Sequence, residues 1–218
     1  MTVDTVGGVF TYGAELAAEL KRHGAEVVIV TFGREPSDDQ RRQLAGAGVE
    51  RVIETGLKLE WMSEPWRDLA TAERLLLELE RELEPDVVHL NGFAHGDAPF
   101  RAPALIVGHS CVFSWWAAVH GTAPPADWAR YRTVVRSGLA GAAAVVAPSR
   151  TMLSELERWY GPLRVSGQVI PNGTSLAETA GLTGRDPIVL GSGRLWDEAK
   201  NAIALRRAAH RPALRDRV

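Results

Sequence analysis

The segment that decides the fold is GGVFTYGAELAAELKRHGAEVVIVTF, residues 7–32. It joins a glycine pair, an amphipathic helix and a strand. The helix is predicted to end at Gly24, because glycine readily adopts the conformation that follows a helix. The strand, residues 26–32, is apolar along its length, which is typical of a parallel sheet covered on both faces. The segment therefore predicts an α/β unit.

The same alternation continues along the chain. Further apolar runs, each ending in a polar or small residue, occupy residues 49–53, 86–91, 104–110 and 143–149. Helical patterns separate them. One covers residues 66–85 and stops at Pro85, and another begins with Ser149 as a helix cap and stops at Gly161. Strands that alternate with helices predict a doubly wound, parallel-sheet α/β domain of the Rossmann-like type.

A second α/β unit is predicted near the end of the chain. The segment DPIVLGSGRLWDEAKN, residues 186–201, has the pattern of a strand, a glycine turn and a helix start. We expect residues 1–175 to form one domain and residues 186–218 to be the truncated start of another. A complete second domain needs several more such units than the 218 residues contain.

Composition narrows the functional classes. The formal net charge of −2 does not indicate a nucleic-acid-binding protein. The single cysteine, Cys111, excludes an internal disulfide and fits a reducing cytoplasm. We find neither a secretion signal nor an apolar run of membrane-spanning length, so we expect a cytoplasmic protein. Peripheral contact with a membrane stays an open alternative.

Two groups of residues are candidates for binding a diphosphate. Gly7 and Gly8 precede the first helix, where backbone N–H groups and a partial positive charge can face an anion. A tight turn without a ligand is an equal alternative, and the third glycine of the dinucleotide fingerprint is missing. Arg194 and Lys200 could supply a planar fork and a point charge to a diphosphate leaving group. Solvated helix charges are the alternative for that pair.

A third candidate follows the strand of residues 104–110. Ligands of open parallel sheets lie at the carboxyl ends of strands, and His109 could orient a hydroxyl there, with Ser110 beside it. Trp115 and Trp116 could stack on a sugar acceptor, although core packing explains them as well. His95, in a loop, could reach the same cleft. The sequence has none of the standard metal or P-loop motifs, and we assign no metal ligand.

Several segments together resemble a known family. The chain contains, in the family's order, the segments DTVGGVFTYGAELAAEL, VVHLNG, HSCVFSWW, VVAPSRTML, VIPNG and GRLWDEAKN. In this it is similar to family-4 glycosyltransferases from residue 3 to about residue 201. That family comprises retaining enzymes of the GT-B fold, in which a cleft separates two Rossmann-like domains.

The resemblance implies transfer of a sugar, of hexosyl type, from a nucleotide-diphosphate donor to an acceptor hydroxyl. It implies retention at the anomeric carbon and no cofactor or metal. The acceptor could be a sugar, a lipid or a small molecule. By position, Gly8 corresponds to the glycine near the donor diphosphate, His109 to the histidine at the edge of the cleft, and Arg194 and Lys200 to the phosphate-binding pair.

The chain also departs from that family. The paired glutamates that hold the donor sugar and ribose have no counterpart, and the residues after Asn201 do not resemble the family's continuation. We therefore expect the polypeptide alone to be weakly active or inactive. A non-catalytic binding fragment and a sugar-nucleotide epimerase of GT-B fold are the alternatives.

Overall fold

The computed structural model describes residues 1–175, 188–191, 193, 195 and 197–210. The strands are β1 (Thr2–Asp4), β2 (Val28–Phe32), β3 (Arg51–Glu54), β4 (Val88–Leu90), β5 (Ala104–Val107), β6 (Ala144–Ala147) and β7 (Gln168–Val169). The α-helices are α1 (Val9–Arg22), α2 (Asp38–Gly46), α3 (Trp66–Leu83), α4 (Val112–His120), α5 (Ala129–Gly141), α6 (Arg150–Tyr160) and α7 (Ala202–Ala209). Short 3-10 turns cover Ala126–Trp128 and Glu198–Lys200.

All strand pairs of the described residues are parallel. The strands pair in the orders β1-β2-β3 and β4-β5-β6-β7. Asn91, directly after β4, joins the two groups. Its backbone N–H donates to Thr2 Oγ1 at 3.0 Å, and its side-chain Nδ2 donates to the Thr2 carbonyl at 2.8 Å. The strands therefore follow the order β3-β2-β1-β4-β5-β6-β7, and the direction of winding reverses between β1 and β4.

Helices cover both faces of this sheet, which confirms the predicted doubly wound α/β fold. Alternate residues of a strand point to opposite faces. In β2, Ile29 packs in the cluster that contains α1 and α2, whereas Val30 and Phe32 pack in the cluster that contains α3. The third cluster joins β4, β5 and β6 to α4, α5 and α6.

Local chemistry sets the helix ends close to their predicted positions. The first helix stops before Gly24, whose φ is +84°, and α3 stops before Pro85. Ser149 caps α6, because its side chain accepts a hydrogen bond from the Met152 N–H at 3.1 Å. The helices α4 and α5 lie in segments for which the pattern predicts no element. Cys111 caps α4, and Ser37 caps α2.

The chain after residue 175 is described only in part. Arg194 lies outside the described residues. Lys200 ends a 3-10 turn that Asp197 caps and that lies beside α4. Residues 188–190, for which the pattern predicts a strand, are exposed and have no strand assignment. No helix of the described part of the chain is both long and apolar enough to cross a membrane.

Candidate functional site

A cleft of about 440 Å³ lies at the carboxyl ends of the central strands. The predicted site residues that line it are Gly7 and Gly8 after β1, His109 and Ser110 after β5, and Trp115 and Trp116 on α4. The cleft thus opens at the point where the winding of the sheet reverses, which is where open α/β sheets bind their ligands. Lys200 is not among the described lining residues, although Asp197, three residues earlier, is.

Gly8 stands at the start of α1 and faces open space. Its φ of −67° and ψ of −14° are accessible to any residue, and no side chain caps the helix there. A Cβ built on Gly8 would meet no protein atom within 4 Å. Neither backbone strain nor internal packing therefore requires glycine at this position. The start of α1, which no side chain caps, is left with a surface that an anionic ligand can approach closely.

Asn91 connects the strand ends to two histidines. Its amide orientation follows from the bond that Nδ2 donates to the Thr2 carbonyl, so Oδ1 faces the rings. That oxygen lies 2.9 Å from His109 Nε2 and 3.2 Å from His89 Nε2. Because an amide oxygen only accepts, both histidines carry their proton on Nε2 when neutral. The sequence indicates no such role for Asn91.

The two histidines are neutral near pH 7. Burial lowers the pKa of His109 from 6.5 to about 4, and it lowers the pKa of His89 to a similar value. The ring of Tyr12 packs edge-on against His109 with centroids 4.5 Å apart. His109 is therefore held in one orientation and one tautomer, with the Nδ1 lone pair as its acceptor. Such a group can orient a hydroxyl, but it is a weak base.

Glu60 is a lining residue that sequence reasoning missed. The residue is 6% exposed, and one carboxylate oxygen accepts the Phe93 N–H at 2.9 Å. Burial raises the pKa of its carboxyl group, and Asp4 raises it further. Space beside the carboxylate is limited, since a Cβ on Gly92 would lie 3.2 Å from Oε2. The sequence offers one signal for Glu60, which is its position as an acid between the large apolar residues Leu59 and Trp61.

Aromatic rings form the outer wall of the cleft. Trp61 and Trp115 are 38% and 37% exposed, which is high for indole rings. Trp115 and Trp116 lie edge to face with centroids 6.3 Å apart. Trp128 is more enclosed and packs at 90° against Tyr131. The wall thus combines rings used for packing with rings open to a ligand.

His95 does not line this cleft. It is 9% exposed and borders a smaller pocket of about 20 Å³, which it shares with Glu60 and Asn91. Burial lowers its pKa to about 4. Among the described residues, no group of three or more His, Cys, Asp or Glu side chains is arranged to hold a metal ion.

The fold and the cleft define a class. A parallel sheet that reverses its winding between β1 and β4, with a glycine pair before α1, is a Rossmann-like domain with a ligand cleft. Within that class, the family model of Glycosyltransferase Family 4 matches residues 6–178, and the chain belongs to this family. Membership makes it a glycosyltransferase-type protein. No curated protein matches the chain significantly.

Proposed function

We propose that the protein transfers a hexosyl group from a nucleotide-diphosphate donor to an acceptor hydroxyl, with retention, in the cytoplasm. The observation that carries the proposal is the uncapped start of α1, which opens into the cleft beside His109. Amides at a helix start can bind the donor diphosphate at no cost in side-chain ordering. In this arrangement residues 1–175 bind one side of the diphosphate and the acceptor. Residues 186–218 form the start of the domain that binds the nucleotide.

The charge that develops on the leaving diphosphate would be held from two sides. Gly7 and Gly8 offer backbone N–H groups, and Arg194 and Lys200 would add a fork and a point charge. In the transfer, the bond from the anomeric carbon to the phosphate oxygen breaks. A bond to the acceptor oxygen forms on the same face, and the acceptor proton passes to the leaving phosphate.

His109 would orient the reacting groups without taking the proton. Its low pKa makes it a poor general base at pH 7, because a base is most effective when its pKa lies near the working pH. Its Nδ1 can accept a hydrogen bond from a hydroxyl of the sugar or the acceptor. Ser110, Trp115 and Trp116 stand further along the same cleft and would contact the acceptor.

The proposal is tested by binding and turnover with a panel of nucleoside diphosphates and their sugars. Titration calorimetry of the unmodified protein should detect binding of one nucleoside diphosphate. We expect Gly8→Val to weaken it at least tenfold, because the new side chain fills the space beside the α1 amides. The matched control is Gly46→Val, on α2, where a Cβ also meets no atom within 4 Å.

Three outcomes separate the candidate functions. Release of nucleoside diphosphate that requires an acceptor supports the transferase. Conversion of the donor sugar without an acceptor would identify an epimerase, and binding without any turnover would identify a binding module. If no nucleoside diphosphate binds, or if both glycine variants lose affinity equally, the diphosphate site is not where we propose it.

A further inference from the structure

The loop between β5 and α4 is held at both ends by residues from other elements. At the strand end, His109 Nε2 lies 2.9 Å from Asn91 Oδ1. At the helix end, the Val112 N–H donates to the Tyr131 hydroxyl at 3.2 Å. Ser110 lies between these two points and lines the cleft. The position of this loop relative to α1 therefore depends on both hydrogen bonds.

The other hydrogen bonds at the start of α4 are local. The Ser114 N–H donates to Cys111 Sγ at 3.3 Å, and the Cys111 N–H donates to Ser114 Oγ at 3.4 Å. These bonds shape the first turn of the helix, but they move with it because both partners belong to that turn. Tyr131 lies on α5, so its hydroxyl ties the start of α4 to a separate helix.

The ring of Tyr131 is itself fixed by its neighbours. The residue is 2% exposed. Its ring stacks nearly parallel to Phe113, with centroids 6.3 Å apart, and meets Trp128 at 90° with centroids 5.6 Å apart. A buried ring between two aromatic neighbours is restricted in its rotamers. The Tyr131 hydroxyl is therefore a fixed acceptor for the Val112 N–H.

The Tyr131 hydroxyl is suited to holding the chain and unsuited to proton transfer. Burial raises the pKa of its phenol well above 10, and the nearby Glu60 carboxyl raises it further. The group therefore stays neutral near pH 7, where a phenol oxygen can still accept an N–H. A group whose pKa lies so far from the working pH is a poor general acid or base.

From these contacts we propose that Tyr131 is a positioning residue of the cleft, whose hydroxyl fixes the start of α4 and thereby the placement of His109 and Ser110 relative to α1. The proposal rests on the proposed function, since its catalytic consequence concerns that same transfer. The reaction requires the β5–α4 loop and the start of α1 to meet their ligands together. A displacement of about 1 Å between such groups can lower a reaction rate by about a hundredfold.

The substitution that tests the hydrogen bond is Tyr131→Phe, which removes the hydroxyl and keeps the ring. It is assayed with the donor that the nucleotide panel identifies, and the folded fraction is measured by circular dichroism. We expect kcat per folded molecule to fall at least tenfold, because His109 and Ser110 are displaced. The affinity for the free nucleoside diphosphate should change less than twofold, since the start of α1 is untouched. A residue needed only for packing would leave kcat per folded molecule unchanged.

A second measurement on the unliganded protein needs no turnover. In ¹H–¹⁵N spectra, Y131F should speed hydrogen exchange of the Val112 amide at least tenfold, because that N–H loses its acceptor, and should shift the resonances of Ser110 and the His109 ring. The matched control is Tyr160→Phe. Tyr160 packs against the same Phe113 ring, and its hydroxyl accepts no backbone N–H among the described residues.

The failure of this proposal can be told apart from failure of the proposed function. If Y131F turns over and exchanges as the unmodified protein does, Tyr131 is not a positioning residue and the transferase proposal stands. If Y131F and Y160F alter the Val112 amide equally, the effect comes from the aromatic core and the positioning proposal is wrong. If the unmodified protein turns over no donor, the transferase proposal fails. Spectral changes in Y131F that are confined to the β5–α4 loop and α4 would then still support the positioning role, and unchanged spectra would overturn it.

Discussion

Acidification should unfold this protein, because three buried histidines must take up protons. Burial lowers the pKa of His89, His95 and His109 from 6.5 to about 4. The unfolded chain therefore binds more protons than the folded chain between these two values. For each histidine, the stabilisation is complete above pH 6.5 and is lost as pH falls toward 4.

The size of the effect follows from the difference in pKa. One pKa unit corresponds to about 1.4 kcal/mol, so each histidine contributes on the order of 3 kcal/mol of pH-dependent stability. His89 and His109 share Asn91 and are coupled, which makes the sum smaller than three independent terms. Glu60 acts in the opposite direction, since its raised pKa means that protonation favours the folded state. Three histidines oppose one glutamate, so we expect the histidines to determine how the free energy of unfolding changes with pH.

Urea unfolding at pH 7.5, 6.5, 5.5 and 4.5 measures this dependence. We expect the free energy of unfolding to fall steeply below pH 6.5, by several kcal/mol in total. His95→Leu should reduce the loss of unfolding free energy between pH 7.5 and 4.5 by about the contribution of one histidine. His95 is buried, and its Nδ1 has no hydrogen-bond partner among the described residues. A free energy that stays constant from pH 7.5 to 4.5 would refute the reasoning.

Three further substitutions test the packing and the polar core. Gly138→Ala should lower stability by about 3 kcal/mol, measured by urea unfolding, because its Cβ would overlap the Phe93 carbonyl oxygen; an unchanged midpoint would contradict this contact. Glu60→Gln should stabilise the protein at pH 8 but not below pH 4.5, since an amide cannot ionise; equal curves at both pH values would argue against a raised pKa. Asn91→Leu should cost about 3 kcal/mol in thermal unfolding, because the Thr2 carbonyl loses its donor and two histidine N–H groups lose their acceptor. Histidine ¹⁵N shifts that stay those of the Nε2–H tautomer in that variant would show that Asn91 does not select it.

Much of the fold could be predicted because its signals are local. The apolar runs near β2, β5 and β6 differ in pattern from the amphipathic helices between them, and this difference needs no knowledge of distant residues. Gly24, Pro85 and Ser149 end or begin helices through the chemistry of a single turn. Local signals were weaker for α4 and α5, where the apolar residues do not follow one clear stripe.

The candidate site was predictable only in part. Gly8 and His109 stand at the ends of strands that the pattern identifies, and the carboxyl ends of parallel strands meet at one edge. Glu60 and Asn91 were missed because their surroundings come from distant parts of the chain. Asn91 binds Thr2 across 89 residues, and Glu60 binds Phe93 across 33. No short stretch of the sequence therefore contains both residues of either pair.

The sequence by itself determined a parallel α/β architecture, the helix ends near Gly24, Pro85 and Ser149, and the family resemblance. Only the tertiary structure decided that β4 lies beside β1. It also decided which acids and histidines are buried and which tryptophan side chains remain exposed. The physical reason is that hydrophobic period and helix capping act within a few residues, whereas strand order and burial depend on every element packed around a side chain.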